Sequence, residues 1–481
     1  MKLKATAFVA SFILSATAFS QEQLGLRLET YAGVSSLAIN PVGNLDNPLR
    51  WDANLVGAGL FLENNYAFLK NTSLRRLYHH RNDAEFILAE DKEGPTADKV
   101  FIADFFNNRA KRFAVANAIF MGPAFAIRIG EQHSVGIFVN DRIMGSSVNI
   151  PNQFSYYKYD ARPFNESFEI PKLQVAAMFW REFGLNYAFS VPVRNGRLGL
   201  GLNLKFIKGI EAAFLETLSP YQHTRQPGNI ITVGLPNSRF GFAQGTSFQN
   251  NIIIDEASGR GLGLDLGISY QAKESKLKLS ASLMDLGRIK FDNEAQAHRL
   301  DLDSTISIDI DDYEQFKSRD ELEEIVNNFG QNSLGDPDAS LDGTAFKMAL
   351  PTALNLQADY GVTEQFYVNA LLMQRLPTFN IGPKRGNLLA VTPRWQHRWF
   401  SASVPVSVYN WSSVHVGLAA RLGWLVIGSD DMASWFFNKN LTGADFYIAL
   451  KVNPFEIRKR NESGFGKRQT GGRGKVKCYT F

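Results

Sequence analysis

Side chains able to do chemistry are scattered along this 481-residue chain rather than gathered at reactive spacings. Seven histidines stand at positions 79, 80, 133, 223, 298, 397 and 415. None has a cysteine partner at metal-ligand spacing or lies in a helical H-E-x-x-H context. His79-His80 follows the helix-like S-L-R-R-L-Y in a polar stretch and reads as solvated surface. Asp301, Asp303, Asp309, Asp311 and Asp312 form an acidic run whose sharp chemistry would be calcium binding. No glycine sits where an EF-hand loop turns, and Ile306, Ile308 and Ile310 alternate with polar positions, so an exposed strand fits better. No G-x-S-x-G nucleophile motif occurs, nor a nucleophile with a base and an orienter. The expectation is no enzyme, no metal and no cofactor.

Six other polar side chains share a different context. Arg128, Asn203, Lys205, Asp265, Lys278 and Arg421 each occupy the polar parity of a run whose alternate residues are apolar. Lining an enclosed lumen, they would set its field. In a filled lumen they would be hydrogen-bond partners for the segment that fills it.

The elements that must hold these residues are strands. From Leu198 to Phe206 the chain reads L-G-L-G-L-N-L-K-F, with period two and two unlike faces. The same design recurs at Phe125–Ile129, Leu262–Tyr270, Leu277–Leu283 and Phe446–Val452. Phe400–Ala420 holds no Asp, Glu, Lys or Arg and has the length of a membrane-spanning helix. Its alternation, restarting after Trp411, instead predicts two strands joined at Asn410-Trp411-Ser412.

Loop lengths add a second signal. Short connections are expected at Glu131-Gln132-His133, Arg194-Asn195-Gly196, Lys273-Glu274-Ser275, Val362-Thr363-Glu364 and Asn410-Trp411-Ser412. Long polar segments lie between them, near 70–112, 148–172, 216–258, 292–349, 377–386 and 429–443. Sorting of loop length by parity is the connectivity of an outer-membrane barrel, with brief periplasmic turns and extended outer loops. Residues 388–409 break the parity, either as two strands hinged at His397–Trp399 or as one long bent strand. The count is 12 strands from parity. It is 14 if residues 388–409 and part of Phe240–Ile254 each add strands. Residues 313–329 predict a loop helix with Phe316, Leu322, Ile325, Val326 and Phe329 as its apolar stripe.

Composition agrees with a barrel. A hydrophobic fraction of 45% and a charged fraction of 20% fit neither a disordered chain nor a helical membrane protein. Residues 1–20 read as a signal peptide cleaved after Ser20, with Lys2 and Lys4 ahead of an apolar stretch and Ala18-Phe19-Ser20 at its end. With one cysteine, Cys478, intramolecular disulfides are excluded. Net charge is +4, concentrated in residues 456–481, where eight basic residues face two acidic ones. The body is near neutral, so a nucleic-acid partner is not expected, and the tail reads as periplasmic.

Several motifs carry a family resemblance. Ala32–Asn47, with Asn40, Pro41 and Gly43 in N-P-V-G, resembles the N-terminal N-P-A-G segment of the long-chain fatty-acid transporter (FadL) superfamily. Gly261–Tyr270 and the following S-L-M-D-L-G resemble it too, and PorV-type subunits of type IX secretion look similar. Leu350-Pro351-Thr352, Ile427-Gly428-Ser429-Asp430 and Gly443–Phe455 resemble an uncharacterised Bacteroidota outer-membrane family, domain-of-unknown-function family 5723. The resemblance implies an all-β transmembrane antiparallel barrel of about 14 strands over 51–455, with an N-terminal hatch over 21–50. It implies a FadL-like passive channel for small or hydrophobic solutes in the outer membrane of a Gram-negative bacterium, in contact with outer-membrane lipid. The rival reading is a non-transporting barrel subunit of an outer-membrane secretion or assembly complex, with machine subunits as partners. Fatty-acid sites do not map residue by residue, so no substrate is implied.

Overall fold

Strands whose two faces differ this strongly can close into a barrel, with one face turned out and the other in. A computed structural model describes residues 22–453 apart from 109, 156–162, 229, 235–236, 245–256, 302–304, 310, 314–321 and 379. The signal peptide, the basic tail, Cys478, Asp303 and the start of the expected loop helix lie outside the described residues.

Fourteen crossings form one antiparallel sheet. They are β1 (Trp51–Asn64), β2 (Arg112–Met121 continued by Ala124–Ile129), β3 (His133–Ile150), β4 (Gln174–Val193), β5 (Gly196–Thr217), β6 (Gly259–Ala272) and β7 (Leu277–Phe291). There follow β8 (Phe346–Ala349 and Ala353–Gly361), β9 (Phe366–Arg375), β10 (Leu388–Gln396) and β11 (Phe400–Ser403 and Val406–Tyr409). The last three are β12 (Ser413–Val416 and Leu418–Leu422), β13 (Leu425–Ser429) and β14 (Gly443–Val452). Pairing of β1 with β14, Ala53 opposite Val452 through Glu63 opposite Gly443, closes the ring and leaves the barrel wall without an edge. The breaks in β2, β8 and β11 fall at Pro123, Pro351 and Pro405, because proline cannot donate to the ladder.

Register fixes the faces. Leu202, Leu204 and Phe206 point outward and are exposed, whereas Asn203 and Lys205 between them are buried. The outer wall carries exposed Ile137, Leu185, Leu262, Leu279, Leu356, Val406 and Leu418, an apolar surface that water would not tolerate and lipid would. No helix among the described residues is long and apolar enough to cross a membrane.

The structure corrects the strand reading in three places. Residues 388–409 are two crossings, and their hinge at His397–Trp399 belongs to the short-turn end. The Asn410–Ser412 turn lies at the long-loop end instead, where Asn410 N–H donates to the Asn387 carbonyl at 2.8 Å. A further short turn at Gly423-Trp424, flanked by leucines on both sides, separates β12 from β13. The count is 14, the larger of the two expected. Of the two crossings beyond 12, one comes from residues 388–409 and the other from β13, not from Phe240–Ile254: Ser238–Ala243 pairs only beyond the barrel wall, with the upper part of β5 and with Ala295–Leu300.

Two small sheets rise at the long-loop end. One joins Ser167–Ile170, Tyr221–Arg225, Ile230–Gly234 and Thr305–Asp309, so the acidic run ends on an edge strand. Burial against Phe154 and Phe168 pushes His223 in this sheet below the ordinary imidazole pKa. The other joins Ala67–Thr72, Glu85–Leu88, Val100–Phe105 and Lys439–Leu441. Of the expected loop helix, Leu322–Phe329 is helical. His79 ends a six-residue helix, and His80 contacts Asp83 and Asp98 at 3.3 and 3.2 Å on the exterior.

Candidate functional site

Residues 22–50 run through the interior of the barrel from the long-loop end to the short-turn end. The segment holds one α-turn, Leu24–Arg27, and two 3-10 turns, Gly33–Ala38 and Gly43–Asp46. Such short turns leave carbonyls and amides without partners of their own, and buried backbone groups must find them elsewhere. Here the barrel wall supplies them. Leu24 N–H donates to Asp430 Oδ2 at 3.0 Å and Gly25 N–H to the Tyr447 hydroxyl at 3.0 Å. Thr30 N–H donates to Gln396 Oε1 at 2.8 Å, and Val34 N–H to Asp52 Oδ2 at 2.9 Å. Lys451 donates to the carbonyls of Tyr31 and Ala32 while pairing with Asp52 at 3.1 Å. The Ile39 carbonyl accepts from Ser282 Oγ at 2.5 Å and Asn355 Nδ2 at 2.9 Å.

The N-P-V-G residues form a close-packed part of this path. Asn40 Oδ1 accepts from Val42 N–H at 3.0 Å, and Gly43 N–H donates to the Asn40 carbonyl at 2.9 Å. The Pro41 carbonyl accepts from Asn186 Nδ2 at 2.9 Å. Glycines on the wall make room for it. A Cβ at Gly201 would stand 2.7 Å from the Pro41 carbonyl carbon, and one at Gly267 would overlap the Asn40 amide. Gly43 itself packs where a Cβ would strike Ser36 Oγ.

The six polar residues singled out in the sequence all face this segment or the charges beside it. Arg128 donates to the Leu45 carbonyl at 3.4 Å, and Asn203 to the Leu37 carbonyl at 3.1 Å and Asp265 at 2.9 Å. Lys278 pairs with Asp46 at 2.5 Å, as does Arg197. Arg421 Nε lies 3.0 and 3.1 Å from the two Glu29 oxygens, which also take a bond from Ser401 at 2.7 Å. Lys205 meets Asp265 at 2.8 Å and Asp285 at 2.6 Å.

Asp285 is the centre of a buried cluster that sequence reasoning missed. Arg142 grips both of its oxygens at 2.9 and 3.0 Å, and Arg385 donates to it at 2.8 Å. Glu182 lies 3.4 Å from Arg142, and Glu22 lies 3.6 Å from Arg385 and 3.8 Å from Arg27. Four cations thus face four carboxylates, all buried. Parity hides Asp285 because β7 carries a bulge there. The register slips between Leu264 and Leu266, Asp285 adopts a φ of +57°, and its side chain turns inward beside that of Met284. The S-L-M-D-L-G motif was the available signal, an Asp in an otherwise apolar run. Arg142 offered none, since Asp141 beside it points out to Arg181.

These charges and the chain at Val34–Ala38 enclose a cavity, also lined by Asn117, Met121 and Phe138. About 60 Å³ of it is open to the centre of a water-sized sphere, room for roughly four waters. A second buried cluster lies at the long-loop end, where His415 stands 3.3 Å from both Glu63 and Asp431. Among the described residues no group of three or more ligating side chains has metal-site geometry.

A closed antiparallel barrel of 14 strands, apolar outside and polar inside, with its own N-terminal segment in the lumen, defines a β-barrel of the outer-membrane type. The chain belongs to the family of unknown function DUF5723, whose model matches residues 55–430. No curated protein matches it. Among solved structures it is similar to a deletion mutant of the TodX monoaromatic hydrocarbon channel, at 10% identity and TM-score 0.40, covering 88% of this chain and 94% of that one. It is similar also to the toluene transporter TbuX of Ralstonia pickettii, at 10% identity and TM-score 0.23 over 88% and 94% of the two chains. The translocator domain of the autotransporter NalP from Neisseria meningitidis aligns at 6% identity and TM-score 0.29 over 84% and 88%. Likeness at this level concerns architecture and assigns no solute.

Proposed function

We propose that this protein sits in the outer membrane of a Gram-negative bacterium and passes small or hydrophobic solutes passively, with residues 22–50 as a hatch across its lumen and no enzymatic role. The observation that carries the reading is how the lumen is filled. A barrel interior serving only stability is filled by interdigitating wall side chains. Here a single passage of chain fills it, tied to the wall by side chain–backbone hydrogen bonds and ion pairs beside a small cavity. Polar ties of this kind exchange readily for water, so displacement of the segment leaves a wettable wall behind. Asn40, Pro41 and Gly43 form the hatch turn. Arg128, Asn203, Lys205, Asp265, Lys278 and Arg421 are the wall groups it would uncover.

Liposome swelling with purified protein tests this. The full chain should pass small solutes slowly, and a variant lacking residues 22–47 should pass them rapidly. If that variant is folded, as shown by heat-modifiable migration, and stays impermeable, the channel reading fails.

A further inference from the structure

One feature of the outer wall has no part in the lumen. Strand register places five basic residues side by side on adjacent strands: Arg181 on β4, Lys208 on β5, Arg260 on β6, Lys290 on β7 and Lys347 on β8. Each is the direct cross-strand partner of the next. Neighbours in such a row stand about 5 Å apart, and like charges opposite one another destabilise a sheet. Arg181 is offset by Asp141 at 2.6 Å and Lys290 by Asp292 at 2.8 Å. Lys208, Arg260 and Lys347 are exposed and form no ion pair or hydrogen bond among the described residues, and neither does Arg288, exposed two residues below Lys290.

Each member of the row is also about equally far along its own strand. The members lie about 12–14 residues up their strands from the short-turn end, roughly 30 Å along the barrel axis for strands tilted near 40°. The apolar band of such barrels is about 25 Å tall. The cations therefore stand at its upper margin, where headgroups of the outer leaflet lie. Directly below them in register, Phe183, Phe206 and Leu262 present exposed apolar side chains at 42%, 48% and 59% exposure. A recess of about 600 Å³ opens at this junction, lined by Phe183 and Phe206 on its apolar side and by Lys208 and Arg260 on its charged side.

We infer that this face binds a phosphorylated glycolipid of the outer leaflet, its phosphates on Lys208 and Arg260 and its acyl chains along Phe183, Phe206 and Leu262. The counter-charge missing from the sheet is then supplied by the membrane. The inference rests on the outer-membrane placement proposed above and is independent of whether the lumen conducts.

The test uses the full mature-length barrel refolded from inclusion bodies in detergent, free of native lipid. It is titrated separately with purified lipopolysaccharide, chemically dephosphorylated lipopolysaccharide, phosphatidylglycerol and inorganic phosphate, with binding read by native mass spectrometry. Lipopolysaccharide should bind most tightly, and removal of its phosphates should abolish the preference. The K208Q/R260Q variant should bind it about thirty-fold more weakly, the loss expected for two surface cations. K276Q, at the opposite end of the barrel, should bind as the parent does. Heat-modifiable migration confirms that each variant is folded. Equal binding of lipopolysaccharide and phosphatidylglycerol, or an unaltered affinity in folded K208Q/R260Q, overturns the inference. Failure of the membrane placement would show separately, as protein released from cells without detergent.

Discussion

Replacing Asp285 by Asn removes one negative charge from the middle of the barrel and keeps the shape of the side chain. Asp285 answers three cations at hydrogen-bonding distance, Arg142 with two contacts, Lys205 and Arg385 with one each. The amide can accept from one of them but cannot offset their charge. Four cations would then face Asp265, Glu182 and Glu22, all buried away from bulk solvent. Breaking a buried pair by removing one partner typically costs about 3–5 kcal/mol, and Asp285 is only 1% exposed, so no discount for solvent applies. We expect D285N to lower unfolding stability in urea by that amount, followed by tryptophan fluorescence in detergent. The damage should reach the lumen as well, because Arg385 also faces Glu22, and Glu22 and Arg27 belong to the segment inside the barrel. Protease cleavage within residues 22–50 should therefore accelerate in D285N while the wall stays intact. A loss under about 1 kcal/mol, the range of solvent-screened surface pairs, with unchanged protease resistance, would refute the argument that this cluster holds the segment.

The other expectations concern single contacts. G201V places a branched side chain against the Pro41 carbonyl, so a cysteine introduced at position 41 should label faster with a maleimide in G201V than in the parent. Removing the Glu29 charge with E29Q leaves Arg421 buried without its carboxylate, and the melting temperature should fall, with a cost of about 3 kcal/mol; an unchanged melting curve would show that the pair contributes nothing. The depressed pKa of His223 makes the neutral ring the folded form, so the unfolded state binds more protons as pH falls. Stability from this group is present above the ordinary imidazole value near 6.5 and is lost as pH drops below it. Protection from hydrogen exchange at Tyr221–Arg225, after correction for the base-catalysed intrinsic rate, should accordingly be lower at pH 5 than at pH 8, and H223L should remove the difference.

The sheet interior also explains residues that look unremarkable in isolation. Glycine recurs opposite leucine in L-G-L-G-L and again in G-L-G-L-D-L-G, and in each run the glycines point inward. Gly201 and Gly267 admit the N-P-V-G turn that any side chain would exclude. The same face then changes to Asn203, Lys205 and Asp265 where the inner segment needs donors, acceptors and charge rather than space. The outward face of these strands stays apolar up to Phe206 and Leu262 and becomes basic one register row above.

The sequence alone determined the strand character, the two faces and most of the crossings, because period-two alternation is a local property that each strand carries by itself. It also determined that Arg128, Asn203, Lys205, Asp265, Lys278 and Arg421 lie on the polar parity. Three things were decided only by the tertiary structure. The end to which the Asn410–Ser412 turn belongs depends on the direction of every preceding strand, so one missed turn at Gly423-Trp424 shifted that assignment and misplaced one of the 14 crossings. Asp285 turns inward through a bulge, which reverses parity where alternation alone assigns the position to the outer face. The pairing of Glu29 with Arg421, of Asp46 with Lys278 and of Asp52 with Lys451 joins residues remote in sequence. Only closure of the sheet around residues 22–50 brings each cation to its carboxylate, and there burial forces the charges to pair.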